Sequence, residues 1–409
     1  MRIGIYYHAQ LFGSTGGGAV FQESIIAEIR KIDFHHEIYL FSPVEPGYPL
    51  ETLGEIRFIK LDSGMPELMR KASKVFHRVT NAALEKLFDR EVAVSGPLEN
   101  AVREHRIDLL WFISTSTEKV TIPYMATVWD LAHRVHPYFP EVSVTDWKWM
   151  DRERHYRELL PRAACVLTGT ETGKEEIIRF YQLPDHLVQV VPFPTPQFAL
   201  DHPTPGETPA DHDDLPKKFL FYPAQFWPHK NHVGLLLAMK ILREKYGLDF
   251  NLVLTGSDQG NLGYVREKAE DLRLADRVTF QGFVDTDVLR RLYRRAFALV
   301  YPTFFGPDNL PPLEAFALGC PVIASHVAGA DEQLGSAALL FNPKDPGEMA
   351  QRVKDLHDSP SRREEMITLG RERALRWTAA NYVERVFGII DDFEPIRRCW
   401  SSREPHRHK

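Results

Sequence analysis

Two doubly wound α/β halves are what this sequence predicts, and three observations lead there. Short apolar runs alternate with amphipathic stretches of helical spacing across nearly all of its 409 residues, the pattern of parallel strands joined by crossover helices. The alternation is interrupted at PTPQFALDHPTPGETPADHDDLPKK, residues 194–218, which is rich in Pro, Asp and Thr, has few large apolar side chains, and reads as a linker. Beyond it, the run at 219–223 starts a second strand and helix series like the first.

In the first half, residues 2–7 read as a buried strand, followed by LFGSTGGGAVFQESIIAEIRK, a glycine-rich loop entering a helix with Val20, Ile25, Ile26 and Ile29 at apolar positions. Gly16, Gly17 and Gly18 permit positive φ and close approach of a ligand to the backbone. Their spacing is not the dinucleotide fingerprint, and a flexible turn is the other reading. Strands are expected at 36–42 and 55–61. Residues 66–90 then show helical spacing at Leu68, Val75, Val79, Ala83 and Leu87, with Arg70, Lys71, Lys74, His77 and Arg78 among them. Such a stretch suits either anionic lipid headgroups or a solvated basic face. Strands at 108–113 and 124–128 follow, and the second runs into WDLAHRVHPYFPEVS. Asp130, His133 and Arg134 place a carboxylate, an imidazole and a guanidinium at its carboxyl end, where they can orient an acceptor hydroxyl and neutralise developing charge. Capping by Asp130 and simple packing of His133 are the alternative. A charged helix at 146–160, a strand at 163–167 and a helix beginning GTETGKEEIIRFY lead to the last strand of this half at 188–191. Thr170 or Thr172 caps that helix, and Thr172 and Glu175 have capping-box spacing.

In the second half, strands at 219–223, 250–255, 277–281 and 297–301 alternate with helices at 232–245, 262–272 and 285–296. The richest stretch is FALVYPTFFGPDNLPPLEAFALGCPVIAS, residues 297–325, which reads as strand, loop, compact helix and strand. Asn309 fits the N-cap, Pro311 and Pro312 the first turn, and Gly319 the left-handed stop. Glu314 sits near the start of that helix, and Gly306, Pro307 and Asp308 precede it at the carboxyl end of a strand, where open α/β sheets bind ligands. A helix N-terminus there suits a diphosphate. PAQFWPHKNH, residues 223–232, carries Gln225 and Lys230 after the first strand; Gly256 ends the next, and Phe283 and Val284 the one after. Asp285 and Asp287 form an Asp-x-Asp pair, but they open a helix, and capping accounts for them better than a metal. After residue 325 come a loop, a short helix, a strand, and helices at 346–357, 359–377 and 379–393.

The run LPPLEAFALGCPVIAS, with Pro302 upstream, resembles the donor-site signature of retaining glycosyltransferases of family four, the glycosyl transferases group 1. That family has the GT-B fold, two Rossmann-like domains facing across a cleft. The resemblance covers nearly the whole chain. It implies an acceptor-side domain at 1–195, a linker at 196–217, a nucleotide-sugar domain at 218–378, a helix at 379–396 crossing back to the first domain near Trp377, and a disordered tail at 397–409. It also implies retaining, metal-independent transfer of a mannose- or glucose-type hexose, from a GDP- or UDP-linked donor to a glycan or lipid-linked acceptor, in cell-surface polysaccharide synthesis, with no cofactor.

The same resemblance assigns roles. Lys230 and the helix opened by Asn309 and Leu310 hold the diphosphate, and Gln225 stands where relatives carry an arginine. Glu314 takes the ribose hydroxyls. Gly306 stands eight positions earlier, where relatives carry another glutamate. Gly256, Phe283 and Val284 hold the base, and Gly17 and Gly18 line the cleft. Asp130 and Leu131 match a His-Asp-Leu turn in which Trp129 replaces the histidine, and Asp130 and His133 form the acceptor side. Arg134 would compensate for the missing arginine from across the cleft. The rival reading is a nucleotide-sugar-binding protein of this fold that has lost transfer, as Gly306 and Gln225 would suit.

Composition bounds the partners. With 50 Lys and Arg against 56 Asp and Glu, the net charge of −6 gives no global reason to expect nucleic acid. Cys165, Cys320 and Cys399 lie too far apart for metal-ligand spacing or a disulfide framework. The chain enters a strand at once, with no signal-peptide pattern, and no window is apolar for the length of a membrane span, so a cytoplasmic protein is expected, with any membrane contact peripheral on the inner face.

Overall fold

The computed structural model describes residues 1–7, 17–45, 54–61, 96–143, 147–201 and 215–401. The basic stretch at 66–90, Gly16, most of the linker and residues 402–409 lie outside the described residues.

The first half runs β1 (Arg2–Tyr6), α1 (Gly17–Ile29), β2 (Glu37–Ser42), β3 (Arg57–Lys60), α2 (Pro97–Glu104), β4 (Leu109–Phe112), β5 (Tyr124–Thr127), α3 (Ala132–Val135), α4 (Pro140–Ser143), α5 (Trp149–Leu159), β6 (Cys165–Thr168), α6 (Glu171–Tyr181), β7 (Val188–Val190) and α7 (Gln197–Leu200). The strands lie in the order β3-β2-β1-β4-β5-β6-β7, every pairing parallel. Strand β4 shows why both faces must be covered. Leu109 and Trp111 pack into the layer that holds Ile3, Ile5 and α1, while Leu110 and Phe112 pack into the opposite layer with Tyr6 and Phe41.

The second half runs β8 (Phe219–Pro223), α8 (His232–Tyr246), β9 (Asn251–Thr255), α9 (Leu262–Asp271), β10 (Val278–Gly282), α10 (Thr286–Arg295), β11 (Ala298–Tyr301), α11 (Leu310–Ala317), β12 (Val322–Ser325), α12 (Ala330–Leu334), β13 (Ala338–Phe341), α13 (Pro346–Asp358), α14 (Pro360–Arg376) and α15 (Ala379–Arg397). Its strand order is β10-β9-β8-β11-β12-β13, again all parallel. In each sheet the order reverses beside the first strand of the half, and the carboxyl ends there frame the crevice in which doubly wound sheets hold ligands.

Helix α15 returns to the first half. Tyr382, Val383, Val386, Phe387 and Ile390 are buried with Phe21 and Ile25 of α1, and the Trp377 indole donates to Pro192 O at 2.7 Å. Arg397 belongs to this helix rather than to a tail: it is buried and pairs with Asp108 at 2.7 Å. Two further expectations are corrected. Gly17 and Gly18 are the first residues of α1, not a positive-φ loop. Helix α2 was not anticipated, although Pro97 in its first turn and buried Leu98, Ala101 and Val102 at helical spacing are a readable signal.

Candidate functional site

The crevice of the second sheet is built from the ends of β8 and β11. After β8 the chain makes a single 3-10 turn at Pro228–Lys230 and enters α8, whose cap Asn231 sits at φ 57° and accepts from Gly234 N. Lys230 is thereby held at a helix start. Tyr222 OH donates to its carbonyl at 2.9 Å, and its Nζ donates to Tyr301 OH at 3.2 Å. Among the described residues its ammonium has no carboxylate partner. Gln225 is engaged locally: its amide donates to Ser257 Oγ at 3.1 Å and accepts from Trp227 Nε1 at 3.0 Å.

After β11, the loop 302–309 leads into α11. Gly306 has φ 130°, and a Cβ there would lie 2.6 Å from Asn309 Oδ1. Asn309 occupies the N-cap position, but its side chain does not cap. Its Nδ2 donates to Gly306 O at 2.6 Å and its Oδ1 accepts from Tyr301 OH at 2.9 Å. The helix N-terminus is also a weaker anion site than expected, because Pro311 and Pro312 have no N–H and Asn309 N already donates to Gln333 Oε1 at 3.1 Å. Of its first four residues, only Leu310 and Leu313 can offer a backbone donor. Helix α11 ends as expected. Gly319 at φ 72° lets Gly319 N reach Phe316 O and Cys320 N reach Ala315 O.

Glu314 is not a solvated carboxylate. It is 7% exposed, Tyr293 OH donates to its Oε2 at 2.6 Å, and burial lifts its pKa to about 7 against the pull of that bond. Its Oε1 takes no hydrogen bond from a described residue. Gly256, at φ 133°, has no room for a side chain, since a Cβ would lie 2.4 Å from Ala224 O. Phe283 is exposed at its strand end, Val284 packs on the core, and Asp285 caps α10 by accepting from Val288 N at 2.8 Å.

The first half contributes less than its sequence suggests. Asp130 forms a turn, accepting from Ala132 N at 2.9 Å. His133 is wholly buried, its Nε2 lies 3.2 Å from Tyr181 OH, its ring stacks on Tyr156, and burial, then Arg152, lowers its pKa to about 4. It therefore does not line the cleft. Arg134 does not cross it either, because its guanidinium pairs with Glu153 beside Trp149, Phe180 and Tyr181. Thr170, not Thr172, caps α6, and Lys174 pairs with Asp185 at 3.0 Å. We expect His133→Ala to lower the melting temperature, by about 2 kcal/mol of stability or more, while acceptor saturation is unchanged. A raised acceptor KM at an unchanged melting temperature would return His133 to the site.

Contacts that the sequence did not single out bring the halves together. Glu332 accepts from Glu171 N at 2.7 Å, Thr172 N at 3.0 Å and Thr172 Oγ1 at 2.7 Å, a carboxylate on the positive end of α6. Asp308 accepts from Phe193 N at 2.7 Å, enclosed by Gly169 and Gln333. Glu141 of α4 accepts from His229 N at 3.0 Å and pairs with its ring, which stacks on Phe305 at 4.2 Å. Gly17 lies against Leu310, where a Cβ would be 3.3 Å from Leu310 Cδ1.

Residues 208–373 match the family model described as Glycosyl transferases group 1. That match takes in β8 to α13 and most of α14 of the second half. The loops just described, residues 225–230 and 306–314, fall inside the matched residues. Over 325 residues the chain is 24% identical to the O-antigen chain mannosyltransferase RfbU of Salmonella typhimurium, covering 74% of this chain and 86% of that one. A sucrose-phosphate synthase from Thermosynechococcus elongatus superimposes with a TM-score of 0.72 at 18% identity, covering 97% of this chain and 100% of that one. Anabaena HepE, in complex with UDP and glucose, does so with a TM-score of 0.68 at 14% identity, covering 96% of this chain and 100% of that one. The fold is GT-B, two Rossmann-like halves around a cleft. No described helix is long and apolar enough to cross a membrane.

Proposed function

We propose that this protein is a retaining glycosyltransferase that moves a mannose- or glucose-type hexose from a GDP- or UDP-linked donor to a hydroxyl of a glycan or lipid-linked acceptor, in the synthesis of a cell-surface polysaccharide. The observation that carries this reading is the hydrogen-bonded chain at the crevice of the second sheet that joins the Lys230 ammonium to the Gly306 loop through Tyr301 and Asn309, with the buried carboxylate of Glu314 further along α11. Similarity to an O-antigen mannosyltransferase favours mannose.

Transfer requires a diphosphate to leave, and charge developing on it is best met by a fixed cation in a partly enclosed site. Lys230 supplies that cation, and Leu310 N, Leu313 N and the α11 dipole add a smaller share. Glu314 Oε1 accepts from the ribose. Gly306 leaves room for the sugar beside the main chain of 306–309, where the N–H groups of Gly306 and Asp308 replace the missing side-chain contact, Pro307 having none and Asn309 N being taken by Gln333. Retention on one face of the sugar lets the departing phosphate take the acceptor proton, with no protein nucleophile. Asp130 remains the acceptor-side carboxylate. Incubation with GDP- and UDP-linked hexoses and glycan or lipid-linked acceptors, measuring released nucleoside diphosphate, tests the reading. Tight donor binding without release across the acceptor panel would favour a binding protein that has lost transfer, consistent with Gln225 and Gly306.

The pKa of Glu314 gives this reading a pH signature. Its folded value, about 7, lies above that of an ordinary glutamate, so the protonated acid is favoured by folding, and that stability is lost as pH rises through about 7. A ribose whose two hydroxyls donate selects the ionised form. Nucleotide binding near pH 6.5 is therefore expected to release a proton, seen as a calorimetric enthalpy that varies with the buffer. The variation should vanish in Glu314→Gln; its persistence there would assign the proton to another group.

A further inference from the structure

Tyr301 ends β11 as a buried residue, 3% exposed, with its ring edge-on to Tyr222 at 5.5 Å. Its hydroxyl lies between two groups of the crevice, 3.2 Å from Lys230 Nζ and 2.9 Å from Asn309 Oδ1. A phenol has a single proton to give. The Asn309 amide is oriented by its other end, since Nδ2 donates to Gly306 O at 2.6 Å, so its oxygen faces Tyr301. The phenol proton therefore goes to Asn309, and the phenol oxygen is left to accept from the lysine. The polarity of the chain, ammonium to phenol to amide to carbonyl, is fixed from both ends.

We propose that Tyr301 is a positioning residue of the transfer site, which fixes the Lys230 ammonium and couples it to the Gly306 loop through Asn309. The proposal rests on the reading of Lys230 as the diphosphate ligand. A lysine head on a four-carbon stem is a mobile point charge, and holding it costs side-chain entropy when the ligand arrives. Here Tyr222 holds the main chain of Lys230 and Tyr301 holds its head, so much of that ordering precedes binding. The coupling has a second consequence. Loss of the phenol oxygen unpairs Asn309 Oδ1, which releases the strap on the loop that faces the sugar.

Calorimetric titration of GDP, UDP and the corresponding nucleosides into the full-length protein tests this in four forms: wild type, Tyr301→Phe, Lys230→Ala and the double variant. Phenylalanine keeps the ring packed on Tyr222, so the melting temperature stays near wild type. Tyr301→Phe is expected to weaken diphosphate binding about tenfold, the size of one charge-assisted hydrogen bond, leave nucleoside binding unchanged, and add nothing to the loss already caused by Lys230→Ala. Wild-type diphosphate affinity in Tyr301→Phe, an equal loss for nucleoside and diphosphate, or full additivity with Lys230→Ala would each overturn the proposal. A wild-type protein that binds neither diphosphate would sink the transferase reading itself, whereas normal wild-type binding with an indifferent Tyr301→Phe removes only this inference.

Discussion

Lys230→Ala is expected to abolish nearly all transfer. A preorganised charge facing a leaving group is worth on the order of 3 kcal/mol in the transition state, or roughly a hundredfold in rate. Three features place this variant among the largest effects. Gln225 stands where the family resemblance implies an arginine, and its amide is occupied by Ser257 and Trp227 and brings no charge. Arg134, the nearest substitute suggested by the sequence, is turned to Glu153. The helix N-terminus cannot take over, with two prolines among its first four residues. The loss should fall mainly on kcat, with the fold intact, since among the described residues Lys230 Nζ bonds only Tyr301. Lys230→Arg restores the charge but not the point geometry and should recover only part of the rate. Unchanged turnover in Lys230→Ala would remove this residue from the site.

The fold was legible because it rests on local signals. Apolar runs such as LLWF of β4 must be covered on both faces, and their alternation with helical spacing admits few arrangements other than parallel, doubly wound sheets. The turn chemistry of 302–325 was readable for the same reason, down to the stop at Gly319. The site was legible only in part. Asn309 sits where an N-cap belongs, but Tyr301 and Gly306 compete for its amide, and that competition is tertiary. His133 and Arg134 stand in a turn that points them inward to Glu153 and Tyr181, from α5 and α6. A one-turn helix such as α4 has no periodicity, so nothing marked Glu141 as the partner of His229, 88 residues away. Tyr301 read as the last residue of a buried strand, which it is; the partners of its hydroxyl come from two separate loops.

Gly306→Glu, which introduces the glutamate that the family resemblance implies at this position, is expected to lower transfer at least tenfold rather than raise it. The backbone decides the sign. At φ 130° an L side chain is strained, by about 1–3 kcal/mol, and its Cβ would meet Asn309 Oδ1 at 2.6 Å and Nδ2 at 2.8 Å. To admit it, Asn309 must give up Gly306 O, Tyr301 OH or both, and with them the orientation of the Lys230 ammonium. The alternative is that the loop flips to negative φ and carries the new carboxylate into the cleft, beside a diphosphate that it repels. Both routes subtract from the same rate. The charge count points the same way: with Gln225 and Gly306 this chain has one cation and one anion fewer than the family resemblance implies, so a lone added glutamate upsets the balance. Gly306→Ala separates the causes, since it keeps the backbone strain and the contact with Asn309 but adds no charge; it should lose transfer to a lesser degree. A clear gain in transfer by Gly306→Glu, measured as nucleoside diphosphate released from GDP- or UDP-linked hexoses, would show instead that the glycine marks a site in decay.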